Sequence, residues 1–109
     1  MAPRFLTTTS YLILEALAWG HRYGFDVMDA TGLPSGTVYP ALRRFEADKL
    51  VRARWEGERG ARAEGRPARR YYELTARGTA TLREARERYA SLGDLARRAR
   101  PRPASSGNA

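Results

Sequence analysis

The chain has 109 residues, a formal charge of +8 and a pI of about 10.8, so it has the length of one modest domain with an excess of positive charge. It contains no cysteine, which excludes a disulfide framework, a thiol nucleophile and a thiolate zinc site. No apolar run approaches the ~18 residues that a membrane span needs, and the N-terminal segment has no A-x-A-like cleavage site. We therefore expect a cytoplasmic protein.

The positive charge is concentrated in the second half of the chain. Residues 1–50 carry five basic and five acidic side chains, so the whole excess of +8 lies in residues 51–109. Such a half predicts an anionic partner, with nucleic acid first and an acidic membrane surface second. On charge alone, an arginine-rich face that is simply solvated is an equally good interpretation.

The first two elements are predicted to be helices. The first covers residues 7–19, where apolar residues recur at spacings of four and three, at Leu12, Ala16 and Trp19. Candidate caps at its start are Thr8, Thr9 and Ser10. The second is a short helix over residues 23–30, and Gly32 is predicted to end it.

A third helix is predicted over residues 35–48, with Ser35 as its N-cap. It carries one apolar stripe, again at spacings of four and three, formed by Val38, Leu42 and Phe45. Pro40 lies near the first turn, where a missing N–H is best tolerated. The stripe would hold the helix to a core and leave its polar and basic residues facing outward.

Two strands around a basic loop follow. Val51, Ala53 and Trp55 alternate with charged residues, which predicts a half-buried strand. Residues 57–69 contain glycine, arginine and almost no large apolar side chain, so we expect a loop there. The segment RYYELT, residues 70–75, resumes the alternation and completes a hairpin.

The last predicted element is a long helix, capped by Thr75 and ending near Arg98. Its apolar residues recur at spacings of three and four, at Leu82, Ala85, Tyr89, Leu92 and Ala96. This spacing is typical of a coiled-coil seam and predicts a dimerisation helix over residues 76–99. Residues 100–109 have no apolar pattern and are predicted to be disordered.

This order of elements predicts a mainly α fold with a two-stranded antiparallel hairpin, that is, a winged helix-turn-helix over residues 1–75. In such a motif the second helix of the pair enters the major groove of DNA with its N-terminal residues at the base edges. The candidate DNA contacts on the third helix are Ser35, Gly36, Thr37, Tyr39, Pro40, Arg43 and Arg44. Those on the wing are Arg62, Arg66 and Arg69, since arginine suits phosphates and the minor groove.

Three segments carry a resemblance to a known family. GTVYPALRRFEADKLV (36–51), GRPARRYYELTARG (65–78) and YGFDV (23–27) resemble the corresponding motifs of PadR-family transcriptional regulators, in particular the small members with a single C-terminal helix. One departure is Lys49, which stands where glycine commonly ends the third helix, at a possible left-handed position.

The resemblance implies a homodimeric repressor that binds double-stranded DNA at an inverted repeat. In that family the first and last helices build the dimer interface, for which the candidates here are Leu12, Leu82, Ala85, Tyr89, Leu92 and Ala96. Family members often respond to small aromatic molecules, and Trp19 and Tyr89 are the candidate ligand contacts. A tryptophan packed in the core at a helix end is the alternative for Trp19.

Catalysis and metal binding are not expected. His21 is the sole histidine, and the acidic pairs have no nucleophile or histidine beside them. We therefore expect no enzyme activity, no metal site and no cofactor. Two other functions remain open from the sequence: a winged helix used as a protein–protein adaptor, and sequence-tolerant nucleic-acid binding by the arginine-rich loop.

Overall fold

A computed structural model describes residues 6–99 of the chain. Its elements in chain order are α1 (Thr8–Ala18), α2 (Gly24–Thr31), α3 (Ser35–Ala47), β1 (Val51–Trp55), α4 (Glu58–Ala63), β2 (Arg70–Leu74) and α5 (Ala76–Ala99). The strands pair antiparallel, with Val51 opposite Leu74 and Trp55 opposite Arg70. This confirms the predicted winged-helix architecture with a long last helix. The tail predicted to be disordered, residues 100–109, lies outside the described residues.

The core lies between α1, α2, α3, the hairpin and the first half of α5. Its largest fully buried side chains are Ile13, Leu14, Val27, Val38, Leu42 and Leu82. Each contributes roughly 1.5–3 kcal/mol relative to an exposed side chain. The predicted stripe of α3 is confirmed, because Val38, Leu42 and Phe45 are all buried. The stripe fixes which face of α3 remains accessible.

The buried face of α1 differs from the predicted one. Ile13 and Leu14 are fully buried, whereas Leu12 is 39% exposed and Trp19 is 79% exposed. The predicted stripe through Leu12 and Trp19 is therefore wrong, and so is the alternative of a core position for Trp19. The reason lies in the tertiary structure. Helix α1 is contacted by α2, α3, β2 and α5, and these contacts bury the face next to the predicted one.

Two helix caps lie one residue earlier than predicted. Thr7 caps α1, and its hydroxyl accepts a hydrogen bond from the backbone N–H of Ser10 at 3.1 Å. This replaces the candidates Thr8, Thr9 and Ser10. In α3 the N-cap is Pro34, without a side-chain cap bond, and Ser35 is the first helical residue. The predicted stop at Gly32 is confirmed, since Gly32 is left-handed with φ 74°.

The corner between α3 and β1 also receives the start of α5. Lys49 has φ 61°, so this position is left-handed, as the comparison with glycine predicted. The hydroxyl of Thr75 donates to the Lys49 carbonyl at 2.6 Å and accepts from the Gly78 N–H at 3.0 Å. Thr75 is therefore the predicted cap of α5, and it also ties that helix to the end of α3.

The segment 57–69 is not a plain loop, because residues 58–63 form α4. Ala61 is the buried residue of this helix, with only 1% of its surface exposed. The helix ends in a Schellman pattern: Gly65 has φ 69°, its N–H donates to the Arg62 carbonyl, and the Arg66 N–H donates to the Ala61 carbonyl at 3.1 Å. The prediction of a loop over the whole segment was therefore wrong: the absence of large apolar side chains did not exclude a helix of six residues.

The predicted seam of α5 divides into two parts. Leu82 is 2% exposed and Ala85 is 5% exposed, because the protomer's own core covers them. Their prediction as dimer contacts is therefore wrong. Leu92 is 46% exposed and Leu95 is 58% exposed, and Ala96 is exposed as well. Only this outer part of the helix presents an apolar surface.

Candidate nucleic-acid interface

The outward face of α3 contains all the predicted contacts of that helix. Exposed or partly exposed positions on it are Ser35, Gly36, Thr37, Tyr39, Pro40, Arg43 and Arg44. The buried stripe lies on the opposite side, so these residues are presented together. Most lie in the first two turns, at the positive end of the helix dipole, where backbone N–H groups suit phosphate oxygens. Helix α3 is therefore held to the core by its apolar side and presents polar and cationic side chains on the opposite side.

Pro40 is the sixth residue of α3, so it lies in the second turn, just past the first turn near which it was predicted. At this position its ring replaces the N–H that would bond the Gly36 carbonyl, which costs roughly 3 kcal/mol in a helix interior. The ring is partly exposed on the outward face.

An ion pair joins α3 to the hairpin. Nη2 of Arg70 lies 2.8 Å and 3.1 Å from the two carboxylate oxygens of Glu46. The Arg70 guanidinium is also 5.9 Å from the ring centroids of Trp55 and Tyr72. No local sequence motif indicates this cluster. The strand register is the signal that finds it, because Trp55 and Arg70 are cross-strand partners on the face that carries Tyr72.

The three predicted wing arginines have different surroundings. Arg62 is exposed on α4. The Arg69 guanidinium lies 4.8 Å from the ring centroid of Phe25. The Arg66 side chain is only 18% exposed and is paired with Glu56 and Glu64. The prediction of Arg66 as a DNA contact does not fit the structure, because its charge is already neutralised inside the hairpin.

Glu56 is a functional candidate that was not among the residues predicted from the sequence. Its carboxylate accepts hydrogen bonds from the Arg66 guanidinium, from the Arg69 backbone N–H at 2.9 Å and from the Tyr23 hydroxyl at 3.2 Å. The Arg66 guanidinium is the main cause that lowers the pKa of Glu56 to about 2, against the opposing effect of desolvation. An acid directly after β1 and opposite a run of arginines was the available signal.

The two predicted ligand residues do not lie in one pocket. Tyr89 stacks on Tyr11 with ring centroids 4.6 Å apart, and its hydroxyl donates to the Leu6 carbonyl at 2.8 Å. Trp19 lies at a surface groove of about 310 Å³. That groove is lined by Leu12, Glu15, Ala16, Trp19, His21, Ala30 and Thr31. Tyr89 therefore has a structural role that joins α5 to the chain before α1.

The described residues contain neither a metal-binding cluster nor a membrane-spanning helix. Within residues 6–99, no three histidine or acidic side chains come together as a metal site would require. None of the helices in the same range combines the length and apolar character needed to cross a bilayer.

Comparisons with known proteins agree with this geometry. The model of the PadR-like family of transcriptional regulators matches residues 13–84. A search of curated proteins finds no match. Among solved structures, a PadR family transcription regulator from Clostridium difficile R20291 superposes with a TM-score of 0.74 at 23% identity, over 84% of this chain and 97% of that one.

Two other structures are similar as well. A PadR-like transcription factor from Bacteroides fragilis has a TM-score of 0.65 and 27% identity, over 82% of this chain and 86% of that one. Bordetella bronchiseptica BpsR, whose DNA binding is regulated by 6-hydroxynicotinic acid, has a TM-score of 0.68 and 24% identity, over 95% of this chain and 74% of that one. The family match spans more than half of the sequence and coincides with the winged-helix core, so the chain belongs to the PadR-like family, a family of transcriptional regulators rather than of enzymes.

Proposed function

We propose that the chain is a homodimeric DNA-binding repressor that occupies an inverted repeat and leaves it when a small molecule binds. The observation that carries this proposal is the outward N-terminal face of α3, held beside a basic hairpin by the Glu46–Arg70 ion pair at 2.8 Å. Membership of a family of transcriptional regulators supports DNA as the anionic partner. Such a repressor would act in the cytoplasm.

In this proposal α3 lies in the major groove. Arg43 would make a bidentate contact to guanine, and Thr37 and Tyr39 would offer hydroxyl groups to bases or phosphates. The Pro40 ring is an apolar surface suited to a thymine methyl group. Arg44, which lies toward one flank of the same face, would contact a phosphate.

The segment between the two strands, residues 57–69, would act as the wing. α4 displays Arg59 and Arg62 on its exposed surface, and Arg69 lies at the base of the segment beside Phe25. Arginines carried on a short projection suit the phosphate backbone and the narrow minor groove. The wing would therefore supply affinity, whereas α3 would supply most of the sequence discrimination.

Exposed apolar side chains support a dimer. Leu12 on α1 and Leu92 and Leu95 on α5 are between 39% and 58% exposed, which is unfavourable for an isolated protomer. Pairing through this surface would place two copies of α3 about one helical turn of DNA apart, roughly 10 bp, on an inverted repeat.

The groove beside Trp19 is the proposed site of the releasing molecule. Its volume of about 310 Å³ suits a small aromatic compound, and Trp19 supplies an exposed indole at its rim. A ligand there would touch both α1 and α2, the helix that precedes α3. We expect Trp19→Ala to abolish release by an active compound and to leave operator binding intact.

The test begins with duplexes selected from a random-sequence pool by the wild-type protein. Arg43→Ala should lower affinity for the selected repeat by roughly 1–3 kcal/mol, while binding to scrambled duplex changes little. Arg83→Ala is the matched control, because it removes the same charge from an exposed position on α5. If the wild type binds all duplexes equally and Arg43→Ala behaves like wild type, the proposal fails and sequence-tolerant binding takes its place.

A further inference from the structure

Three separate segments of the chain meet at the carboxylate of Glu56. Tyr23 is the N-cap residue of α2, Arg66 follows α4, and Arg69 leads into β2; all three donate hydrogen bonds to Glu56. The backbone takes part too, since the Glu56 N–H donates to the Arg69 carbonyl at 2.9 Å. Glu56 therefore closes the base of the segment 57–69, which we call the wing, and attaches it to α2.

The attachment is well shielded and has further supports. The side chains of Glu56 and Arg66 are only 15% and 18% exposed. Arg66 is also held by Glu64, at 3.2 Å, and by the Pro67 carbonyl, at 3.3 Å. Both ends of the wing and one helix of the helix-turn-helix thus share one polar cluster.

The Tyr23 side of the cluster is equally fixed. Its ring stacks on Phe25 with centroids 5.5 Å apart, and its backbone forms a β-bridge with Tyr71. The adjoining backbone is joined to the sheet as well, because the Tyr72 N–H donates to the Arg22 carbonyl at 2.9 Å. The orientation of the wing relative to α2 is therefore defined by hydrogen bonds on both sides of Glu56.

By charge alone, the negative side chain of Glu56 is unfavourable for binding DNA. A carboxylate at the base of the basic wing repels phosphate, so its neutralisation should strengthen binding. We propose instead that Glu56 is a positioning residue for DNA binding. It fixes the wing against the start of α2, which in turn packs on α3, so that an acidic side chain increases affinity for DNA. This inference rests on the proposed function. It makes a prediction opposite in sign to simple electrostatics.

The experiment compares wild type with Glu56→Gln on the selected operator duplex over a range of salt concentrations. The variant keeps the shape of the side chain and removes its charge. We expect the variant to bind about tenfold more weakly at 0.1 M salt. The slope of log affinity against log salt should also become shallower, by about one for each phosphate contact that the wing loses. A loss of folded protein would lower the active fraction and leave the slope unchanged.

Glu73→Gln is the matched control. Glu73 is an acid in the same hairpin, paired with Arg54 at 2.7 Å, and its side chain is 36% exposed. Its removal should leave affinity unchanged or slightly higher and leave the slope unchanged. Tyr23→Phe removes a single hydrogen bond to Glu56 and retains the ring, so it should weaken binding in the same direction as Glu56→Gln but less.

The outcomes separate the two proposals. If wild type discriminates the operator while Glu56→Gln binds as tightly or more tightly with an unchanged slope, the positioning role is overturned and the repressor function stands. If wild type shows no discrimination, the proposed function itself fails. Should Glu56→Gln not fold at the assay temperature, Tyr23→Phe decides: a smaller slope supports the positioning role, and wild-type binding overturns it.

Discussion

The backbone of Gly24 in α2 lies directly against the ring of Tyr39 in α3. A Cβ added to Gly24 would lie 2.7 Å from the Tyr39 hydroxyl oxygen and closer still to two ring carbons. Gly24 is buried, whereas Tyr39 is 36% exposed. A glycine on one helix thus determines where a candidate base-reading side chain on the next helix can lie.

Gly24→Ala should therefore displace Tyr39. We expect a loss of about 1–3 kcal/mol in the free energy of unfolding, measured with urea, together with weaker operator binding. In a Tyr39→Ala background the added methyl group has space, so the same change should cost much less. An equal cost in both backgrounds would show that the ring is not the obstacle.

Gly78 is predicted to tolerate no side chain at all. A Cβ there would lie 2.9 Å from the carbonyl carbon of Leu50 and closer still to its oxygen. This obstacle is backbone, and the Leu50 carbonyl is held in place because it accepts a hydrogen bond from the Thr75 backbone N–H at 3.0 Å. Gly78→Ala should destabilise the fold by roughly 3 kcal/mol or more in urea unfolding.

Gly93 on the same helix is the contrasting case. A Cβ on Gly93 would meet only a terminal nitrogen of Arg97, at 3.7 Å. Gly93→Ala should stabilise the protein by up to about 1 kcal/mol, because alanine has the higher helix propensity. Similar destabilisation by both substitutions would contradict the proposed close approach at Gly78.

Lys49 holds a left-handed conformation that a side chain disfavours. Lys49→Gly should raise the free energy of unfolding by up to about 1 kcal/mol, the relief of the left-handed penalty less the entropy cost of glycine. Asp48→Gly is the control, because Asp48 has φ −84° and gains nothing from glycine. We expect that control to lose about 0.5–1 kcal/mol in the same urea titration. Equal losses at both positions would contradict this account.

The Glu56 cluster predicts a specific response to acid. The pKa of Glu56 is lowered from its ordinary value of 4.5, which applies in the unfolded chain, to about 2 in the folded chain. Its contribution to stability is therefore complete above about pH 4.5 and is lost as the pH falls toward 2. The difference in urea midpoint between wild type and Glu56→Gln should shrink over that range. A difference that stays constant from pH 6 to pH 2.5 would contradict the pairing with Arg66.

The proposed dimer surface is tested by Leu92→Asp. A carboxylate in an apolar interface is strongly unfavourable, so this variant should sediment as a monomer while it keeps its helical circular dichroism. Ala90→Asp is the control, because position 90 is exposed and lies on the opposite side of α5. A Leu92→Asp protein that remains dimeric would remove the outer part of α5 from the interface.

Local patterns predicted much of the fold and part of the candidate site. The spacing of Val38, Leu42 and Phe45 identified the buried face of α3, and with it the outward position of Arg43. Alternation predicted both strands. These features depend on neighbours within a few positions, so the sequence contains the information directly. The left-handed conformation of Lys49 was instead expected from the resemblance to PadR-family regulators, in which glycine commonly stands at that position.

The remaining features depended on which segments meet in space. Both faces of α1 are apolar, so only packing decided that Leu14 is buried and Trp19 is not. Leu82 belongs to the core rather than to a dimer seam because α5 folds back on its own protomer. The pairing of Glu56 with Tyr23 spans 33 residues. Sequence determined the periodic elements and their polarity, whereas tertiary structure decided every partner, because burial and hydrogen bonding reward proximity in space and not along the chain.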